Sequence, residues 1–304
     1  MAGLLVANAP CSWGIVEEFG AAPGAPAYGQ VLDELAQAGY AGTELGEWGF
    51  LPTEPIALRS ELGQRGLSLA GAYVPVALAD PASHAAGETQ ACRAAELLAA
   101  CAWPDAAPVI VLSDANGADP LRTRLAGSIR PEHGLSAAQW RDFARGAERI
   151  ARAVRERTSL RTAFHHHCAG FVETPDELAT LLERTDPGLL GLCLDTGHYT
   201  YGGGDALDAL RRYGARIWHV HVKDCDAAML ARVRRDGLDY HRAVREGVFC
   251  HLGDGLVDIP AIVEELARRA YAGWVVVEHD VAPGTGTPLE SARRDRQYLR
   301  ALGL

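Results

Sequence analysis

The 304-residue sequence predicts a single-domain (β/α)8 barrel. Eight short β-type runs alternate with eight segments of helical character along the whole length, the pattern of parallel strands joined by crossover helices. Every crossover is long enough for a right-handed parallel connection. The competing architecture is a doubly wound open sheet. It loses its main support as a dinucleotide binder because no Gly-x-Gly-x-x-Gly opens the first helix, Trp13-Gly14-Ile15 lacking that spacing.

In chain order, the strands are expected at 4–9, 42–45, 68–74, 109–113, 161–167, 191–195, 217–223 and 274–279. The helices between them are expected at 28–38, 54–65, 86–101, 136–157, 175–184, 205–213, 258–270 and 288–301. Thr174-Pro175 opens one helix with a capping residue and a first-turn proline, and Gly39 and Gly66 follow helix ends. Two long irregular stretches, 114–135 and 224–257, each follow a strand, where barrel insertions crown the catalytic face. No Ser- or Pro-rich linker divides the chain, so residues 1–304 read as one domain.

Apolar residues make up 48% and charged residues 22%, which excludes a disordered or fibrous chain. With 29 Lys+Arg against 39 Asp+Glu, the formal charge is -10 and repels nucleic acid and anionic membranes. The apolar runs at 109–112 and 275–277 fall far short of the roughly 20 residues a membrane helix needs. The N-terminus has no basic start and runs into Asn8 and Pro10, unlike a signal peptide, so a cytoplasmic protein is expected. Seven cysteines, at 11, 92, 101, 168, 193, 225 and 250, include no Cys-x-x-Cys pair and read as reduced, mostly buried thiols.

Ionisable residues gather where the strands end. The second ends Thr43-Glu44-Leu45-Gly46, the fifth His165-His166-His167 and the sixth Asp195-Thr196-Gly197-His198. The seventh ends His219-Val220-His221-Val222-Lys223-Asp224 and the eighth Glu278-His279-Asp280. In a barrel these ends meet at one mouth. Alternation puts His219, His221 and Lys223 on one face, with Trp218, Val220 and Val222 on the other, and pairs His165 with His167. The histidine faces are assigned to the interior, with Asp195 and Glu278 the carboxylates nearest the mouth.

Each residue also has an ordinary role. Asp195-Thr196-Gly197 suits a turn, Glu278 an ion pair with Arg296, Glu44 a rim ion pair, and His251 the turn at Gly253-Asp254-Gly255. Taken together, carboxylates clustered with imidazoles call for a cation. The donor set suits Mn2+, Co2+, Zn2+ or Fe2+ better than Ca2+, which prefers oxygen alone.

Asn8-Ala9-Pro10-Cys11-Ser12-Trp13-Gly14, Gly42-Thr43-Glu44-Leu45-Gly46, His165-His166-His167 with Gly170 and Glu173-Thr174, and Leu194-Asp195-Thr196-Gly197-His198 carry a resemblance, together with His219-Val220-His221-Val222-Lys223-Asp224, Gly253-Asp254-Gly255 and Gly273-Trp274-Val275-Val276-Val277-Glu278. In order and over essentially the whole chain, they resemble the xylose-isomerase-like TIM-barrel sugar isomerases and epimerases, and within these the inosose (2-keto-myo-inositol) dehydratases. The resemblance implies one divalent metal, Mn2+ or Co2+ before Zn2+, Fe2+ or Mg2+, held by a Glu, an Asp, a His and a second Glu at successive strand ends. Asp195, His221 and Glu278 match the last three. At the first position this chain offers His165, with Glu173 eight residues later as the other candidate.

The implied reaction is α-proton abstraction from a keto-cyclitol or keto-sugar and β-elimination of water; the alternative on the same site is sugar or hydroxyketone isomerisation or epimerisation. Glu44, His167 or a carboxylate of the metal set is the expected base, and His198 and Lys223 are the acid or orienting groups. Trp13 is expected as an apolar wall against a sugar ring, with His219 and His251 as further substrate contacts. Metal-dependent apurinic endonucleases share this barrel, but they need more His and Glu ligands and a basic DNA face. The expected partner is therefore a small molecule, with neither nucleic acid nor membrane, and a homo-oligomer is compatible with the sequence.

Overall fold

The computed structural model describes residues 4–15, 26–103, 107–281 and 286–304, so Met1–Gly3 of the N-terminal reading lie outside it. Eight parallel strands close into a barrel: β1 (Leu5–Asn8), β2 (Gly42–Glu44), β3 (Ser68–Val76), β4 (Val109–Asp114), β5 (Arg161–His165), β6 (Leu190–Asp195), β7 (Ile217–Val222) and β10 (Trp274–Val277). Their order around the barrel is β1-β10-β7-β6-β5-β4-β3-β2, the expected closed (β/α)8 architecture.

The main crossover helices are α1 (Tyr28–Ala38), α2 (Pro55–Gly63), α3 (His84–Cys101), α5 (Ala137–Thr158), α6 (Pro175–Arg184), α8 (Ala206–Tyr213) and α11 (Ile259–Arg268), and α12 (Pro288–Ala301) closes the chain. Their starts follow from capping chemistry. Ser136 and Gln139 form a capping box on α5, and Thr174 and Glu177 form another on α6, satisfying N–H groups that the first turn leaves unpaired. α1 stops at Gly39, whose φ of 85° only glycine adopts cheaply. α5 buries Trp140, Phe143, Ala147, Ile150 and Val154, one stripe at helical spacing, so its burial comes from the helix–barrel layer.

Three departures from expectation bear on the site. The stretches 114–135 and 224–257 are not irregular: they hold α4 (Pro120–Leu125), α9 (Ala227–Asp236), α10 (Tyr240–Arg245) and an antiparallel ribbon of β8 (Asp224–Cys225) and β9 (Phe249–Cys250). Asp195-Thr196-Gly197 opens a short helix, α7 (Thr196–Tyr201), where a turn was the ordinary reading. Trp218 packs with the inward residues Val109, Val111, Ala163 and Cys193, opposite to the face expected. The reason is a register shift between Leu192 and Cys193 against β7, together with Gly191, where any Cβ would collide with the indole. Among the described residues, no helix is long and apolar enough to cross a membrane.

Candidate active site

Glu44 reaches across the barrel from β2 to the histidines of β7. Its Oε1 accepts hydrogen bonds from His219 Nε2 at 2.8 Å and His221 Nε2 at 3.0 Å. Gly71 makes the room, since a Cβ there would lie 3.2 Å from that oxygen and 3.0 Å from the Val109 carbonyl. Burial works to raise the Glu44 pKa, but the charge of His221 and the bonds from His219 and His221 overcome it and hold the carboxyl at about 2. An oxygen engaged by two imidazoles is poorly suited to the base role expected of it. His219 is buried beneath Glu44 and is not among the residues that line the cavity described below, where substrate contact was expected of it.

The Asp195-Thr196-Gly197-His198 run is a cradle for Lys223. Asp195 Oδ1 accepts from the His198 N–H at 2.7 Å, capping α7. Thr196 Oγ1 donates to the Lys223 carbonyl at 2.6 Å and accepts from its N–H at 2.9 Å. A Cβ on Gly197 would lie 2.6 Å from Lys223 Cγ, so glycine alone lets the lysine stem pass. At its end Lys223 Nζ donates to Asp280 Oδ2 at 2.7 Å and to His198 Nε2 at 2.9 Å, with Glu278 Oε2 at 3.0 Å and Asp195 Oδ2 at 3.5 Å. Burial disfavours the ammonium, yet the charges of Asp195, Asp280 and Glu278 carry its pKa well above the usual lysine value. Burial and the neighbouring His167 and Lys223 hold His198 well below the usual histidine value, which suits a ring that accepts from an ammonium.

His165, Asp195, His221 and Glu278 each bring one donor atom within 4.8 Å of the others. His221 Nδ1 lies 3.2 Å from Glu278 Oε1 and 3.8 Å from Asp195 Oδ2, and His165 Nε2 lies 3.5 Å from Asp195 Oδ2. His165 Nε2, Asp195 Oδ2 and His221 Nδ1 are all buried without a hydrogen-bond partner. Such orphans are rare because each costs desolvation energy. Ligand atoms about 2.1 Å from one ion stand about 3.0–3.4 Å apart, close to these spacings, so the donor set fits a divalent metal. Behind it, His166 Nε2 accepts from the Asp195 N–H at 3.2 Å and fixes the backbone that carries this carboxylate. The neighbouring group of His167, His198 and Asp280 already surrounds a cation, the Lys223 ammonium.

Of the two residues offered for the first ligand position, His165 joins the other three and Glu173 is engaged elsewhere. Glu173 Oε1 accepts from the Gly127 N–H at 2.7 Å and Oε2 from the Ala169 N–H at 2.9 Å, stapling the loops after β4 and β5 together. Burial pushes its pKa up to about 7 against those bonds. The Glu278–Arg296 pair is not made, because Arg296 donates to the carbonyls of Gly39 and Leu304.

A cavity of about 720 Å³ opens above the donor set, a size suited to a small molecule. His165, His167, Lys223, Glu278 and Asp280 line it, and α10 covers one side with Tyr240 and Val244. The His167 Nδ1–H donates to the Cys168 carbonyl at 2.6 Å, leaving Nε2 as an acceptor. Burial, then the charges of His165 and Lys223, hold this ring at about 3, so it is neutral.

Trp13 does not form the expected wall. It is buried in the core, where its indole N–H donates to Glu34 Oε2 at 2.6 Å. The wall tryptophan is Trp48, with the Arg93 guanidinium 3.9 Å over its ring. His251 also stands apart from the cavity wall, paired through Nδ1 to Asp295 Oδ1 on α12 at 3.2 Å. Sequence reasoning missed Asp280, although its spacing of two from Glu278 signalled the same face. It also missed Tyr73 and Asn116, whose Nδ2 donates to Tyr73 Oη at 2.7 Å in the cavity wall.

The family model of the xylose isomerase-like TIM barrel matches residues 32–302. The inosose dehydratase of Geobacillus kaustophilus is 34% identical over 276 residues, 90% of this chain and 86% of that protein. The inosose dehydratase of Geobacillus thermodenitrificans is 32% identical over 274 residues, 89% of this chain and 88% of its own. The solved structure of the probable 3-DHS dehydratase AsbF from Bacillus anthracis superposes with a TM-score of 0.68 at 14% identity, covering 98% of this chain and 99% of that one. An L-ribulose 3-epimerase superposes with the same score, 0.68, at 15% identity, covering 99% and 94%. At such identities the structural likeness is one of fold; the matched family and the 34% identity over nine-tenths of the sequence settle that this chain belongs to the xylose isomerase-like TIM barrel family.

Proposed function

We propose that the chain is a divalent-metal-dependent dehydratase that removes water from a keto-cyclitol or keto-sugar by α-proton abstraction and β-elimination. Its relatives make it a sugar-modifying enzyme. The observation that carries the reaction is the meeting of three buried atoms that make no hydrogen bond, on His165, Asp195 and His221, with Glu278 beneath a sugar-sized cavity that His165 and Glu278 line. Those four side chains would hold the ion, with Mn2+ or Co2+ preferred by two imidazoles and two carboxylates, and Zn2+, Fe2+ or Mg2+ as weaker fits. An ion there supplies a Lewis acid that makes the carbon beside a carbonyl more acidic.

The chain's own groups do the rest. His167, neutral and tied through Nδ1 to Cys168, takes the α-proton on Nε2. Lys223 gives a proton to the β-hydroxyl, the C–O bond breaks, and water leaves with the new carbon–carbon double bond behind it. The His167 ring centroid lies 3.8 Å from that of His198, whose Nε2 lies 2.9 Å from Lys223 Nζ, so base and acid stand side by side, and the proton gained at His167 and the one lost from Lys223 balance through solvent when the product leaves. Two of the three carboxylates around Lys223 belong to the ligand set, so how they are engaged governs its acidity. Glu44 orients His221, and Trp48 offers a face to the ring. In the isomerase or epimerase reading, the same proton returns to carbon.

The test is incubation of metal-loaded protein with 2-keto-myo-inositol while the absorbance of the conjugated dione product is followed. Product formation that requires the metal is expected. No dione, together with turnover of a ketose, would overturn the dehydratase reading in favour of isomerisation.

A further inference from the structure

We propose that His251, His279 and Asp295 form a second divalent-cation site, outside the barrel cavity, that takes Zn2+ or a similar nitrogen-preferring ion. The three residues come from separate elements: the loop after β9, the end of β10, and α12. Each brings one donor atom within 4.8 Å of the other two. His251 Nδ1 lies 3.2 Å from Asp295 Oδ1, and the two imidazole centroids are 5.0 Å apart at 66°.

Two hydrogen bonds aim the donors. His279 Nε2–H donates to the Phe249 carbonyl at 3.2 Å, which fixes the tautomer and leaves Nδ1 with a lone pair. A metal-bound histidine is held in the same manner, its other ring nitrogen donating to a backbone carbonyl or carboxylate. The Leu252 N–H donates to Asp295 Oδ1 at 3.1 Å and fixes the carboxylate. An ion pair between His251 and Asp295 would account for those two residues alone. It leaves His279 Nδ1 buried without a hydrogen-bond partner, and a shared cation removes that cost.

Two nitrogens and one carboxylate oxygen suit Zn2+, Co2+ or Ni2+ and not Mg2+ or Ca2+, which favour oxygen shells. The His251 side chain is 24% exposed while Asp295 is 2%, so the site has a path for entry and room for water as a fourth ligand. This site is separate from the donor set on the barrel axis. Along the end of β10, Glu278 and Asp280 line the cavity and His279 between them does not. An ion on the His279 side would anchor to α12 the segment from which both cavity carboxylates hang.

The experiment is a Zn2+ titration of metal-stripped protein by calorimetry, with elemental analysis after desalting. The wild-type chain is expected to retain two equivalents. The Asp195→Asn/Glu278→Gln double variant, which disables the cavity set, is expected to retain one. Adding His251→Gln to it should remove that equivalent while the circular dichroism spectrum stays unchanged. Co2+ in place of Zn2+ should give visible d–d bands in the double variant that vanish with His251→Gln. Should the double variant fail to fold, His251→Gln and His279→Gln in the wild-type chain are read directly, each expected to bind one equivalent in place of two. The proposal falls if the folded double variant binds no Zn2+, or if the histidine variants retain the second equivalent. Neither result depends on which reaction the cavity performs.

Discussion

Glu44 holds His221 by the nitrogen that faces away from Glu278: Nε2 lies 3.0 Å from Glu44 Oε1 while Nδ1 lies 3.2 Å from Glu278 Oε1. The contact keeps a proton on Nε2 and fixes the ring angle, so Nδ1 is the nitrogen that faces the rest of the donor set. In Glu44→Gln an oxygen still accepts the two imidazole N–H groups but the negative charge is gone. Metal affinity is expected to fall about 10–100-fold with the fold intact, the usual size of such a supporting contact. Metal content after dialysis against graded chelator checks this, and unchanged affinity would mean that His221 does not ligate through Nδ1.

Trp13 packs in the core whereas Trp48 stands in the cavity wall. Trp13→Phe keeps the core packing but leaves Glu34 Oε2 without its indole donor, so it should cost about 1–2 kcal/mol of stability. KM should stay at its wild-type value. Trp48→Ala removes the cavity wall under Arg93 and should raise KM roughly tenfold, about 1.4 kcal/mol of binding, with kcat and the unfolding midpoint little changed. Urea unfolding and steady-state kinetics on both variants give the four numbers. A KM effect from Trp13→Phe alone would reverse the assignment.

Glu173 predicts a pH dependence of stability. Its folded pKa is raised from 4.5 to about 7, chiefly by burial, so between those values the folded chain holds a proton that the unfolded chain releases. The stabilisation from this group is therefore full below about pH 4.5 and is lost as pH rises through about 7. Glu173→Gln has no such titration. The wild-type minus variant difference in unfolding free energy should fall across that window by on the order of 3 kcal/mol, 1.36 kcal/mol for each pH unit of the shift. Denaturant unfolding of metal-free protein at pH 4.5, 6 and 8 measures it, and a difference that rises with pH would refute the raised pKa.

The strands and main crossover helices were readable because buried parallel strands and amphipathic helices impose their own periods over many residues. α4, α9 and α10 are short enough that no period develops, yet each begins at an aspartate cap, Asp119, Asp226 and Asp239, which was visible in the sequence. β5 stops at His165, so strand alternation does not govern His167. The cavity-facing position of His167 comes instead from the loop that its Nδ1 bonds. Inward alternation placed Asp195, His221 and Glu278 at one end of the barrel, and in the structure their donor atoms meet, since each sits at or next to a strand end. Which tryptophan meets the cavity was not readable, because Trp13 and Trp48 both follow strands and only packing against α1 or α3 decides between them.

Gly197 tests the cradle around Lys223. Nothing in its backbone demands glycine by a positive φ; what demands it is the lysine stem, whose Cβ, Cγ and Cδ would lie 2.8, 2.6 and 2.9 Å from a new methyl carbon. Gly197→Ala must therefore push Lys223 aside or shift α7, at a stability cost of about 1–3 kcal/mol. Either movement lengthens the contacts from Nζ to Asp280 and His198, now 2.7 and 2.9 Å. The expected result is a fall in kcat of tenfold or more, since proton delivery tolerates little misplacement, with bound metal retained because Lys223 is no ligand. Parallel measurement of kcat and metal content decides the matter. Loss of metal with kcat per bound ion unchanged would mean that the run Asp195-Thr196-Gly197-His198 serves the ion alone and Lys223 stands outside the chemistry.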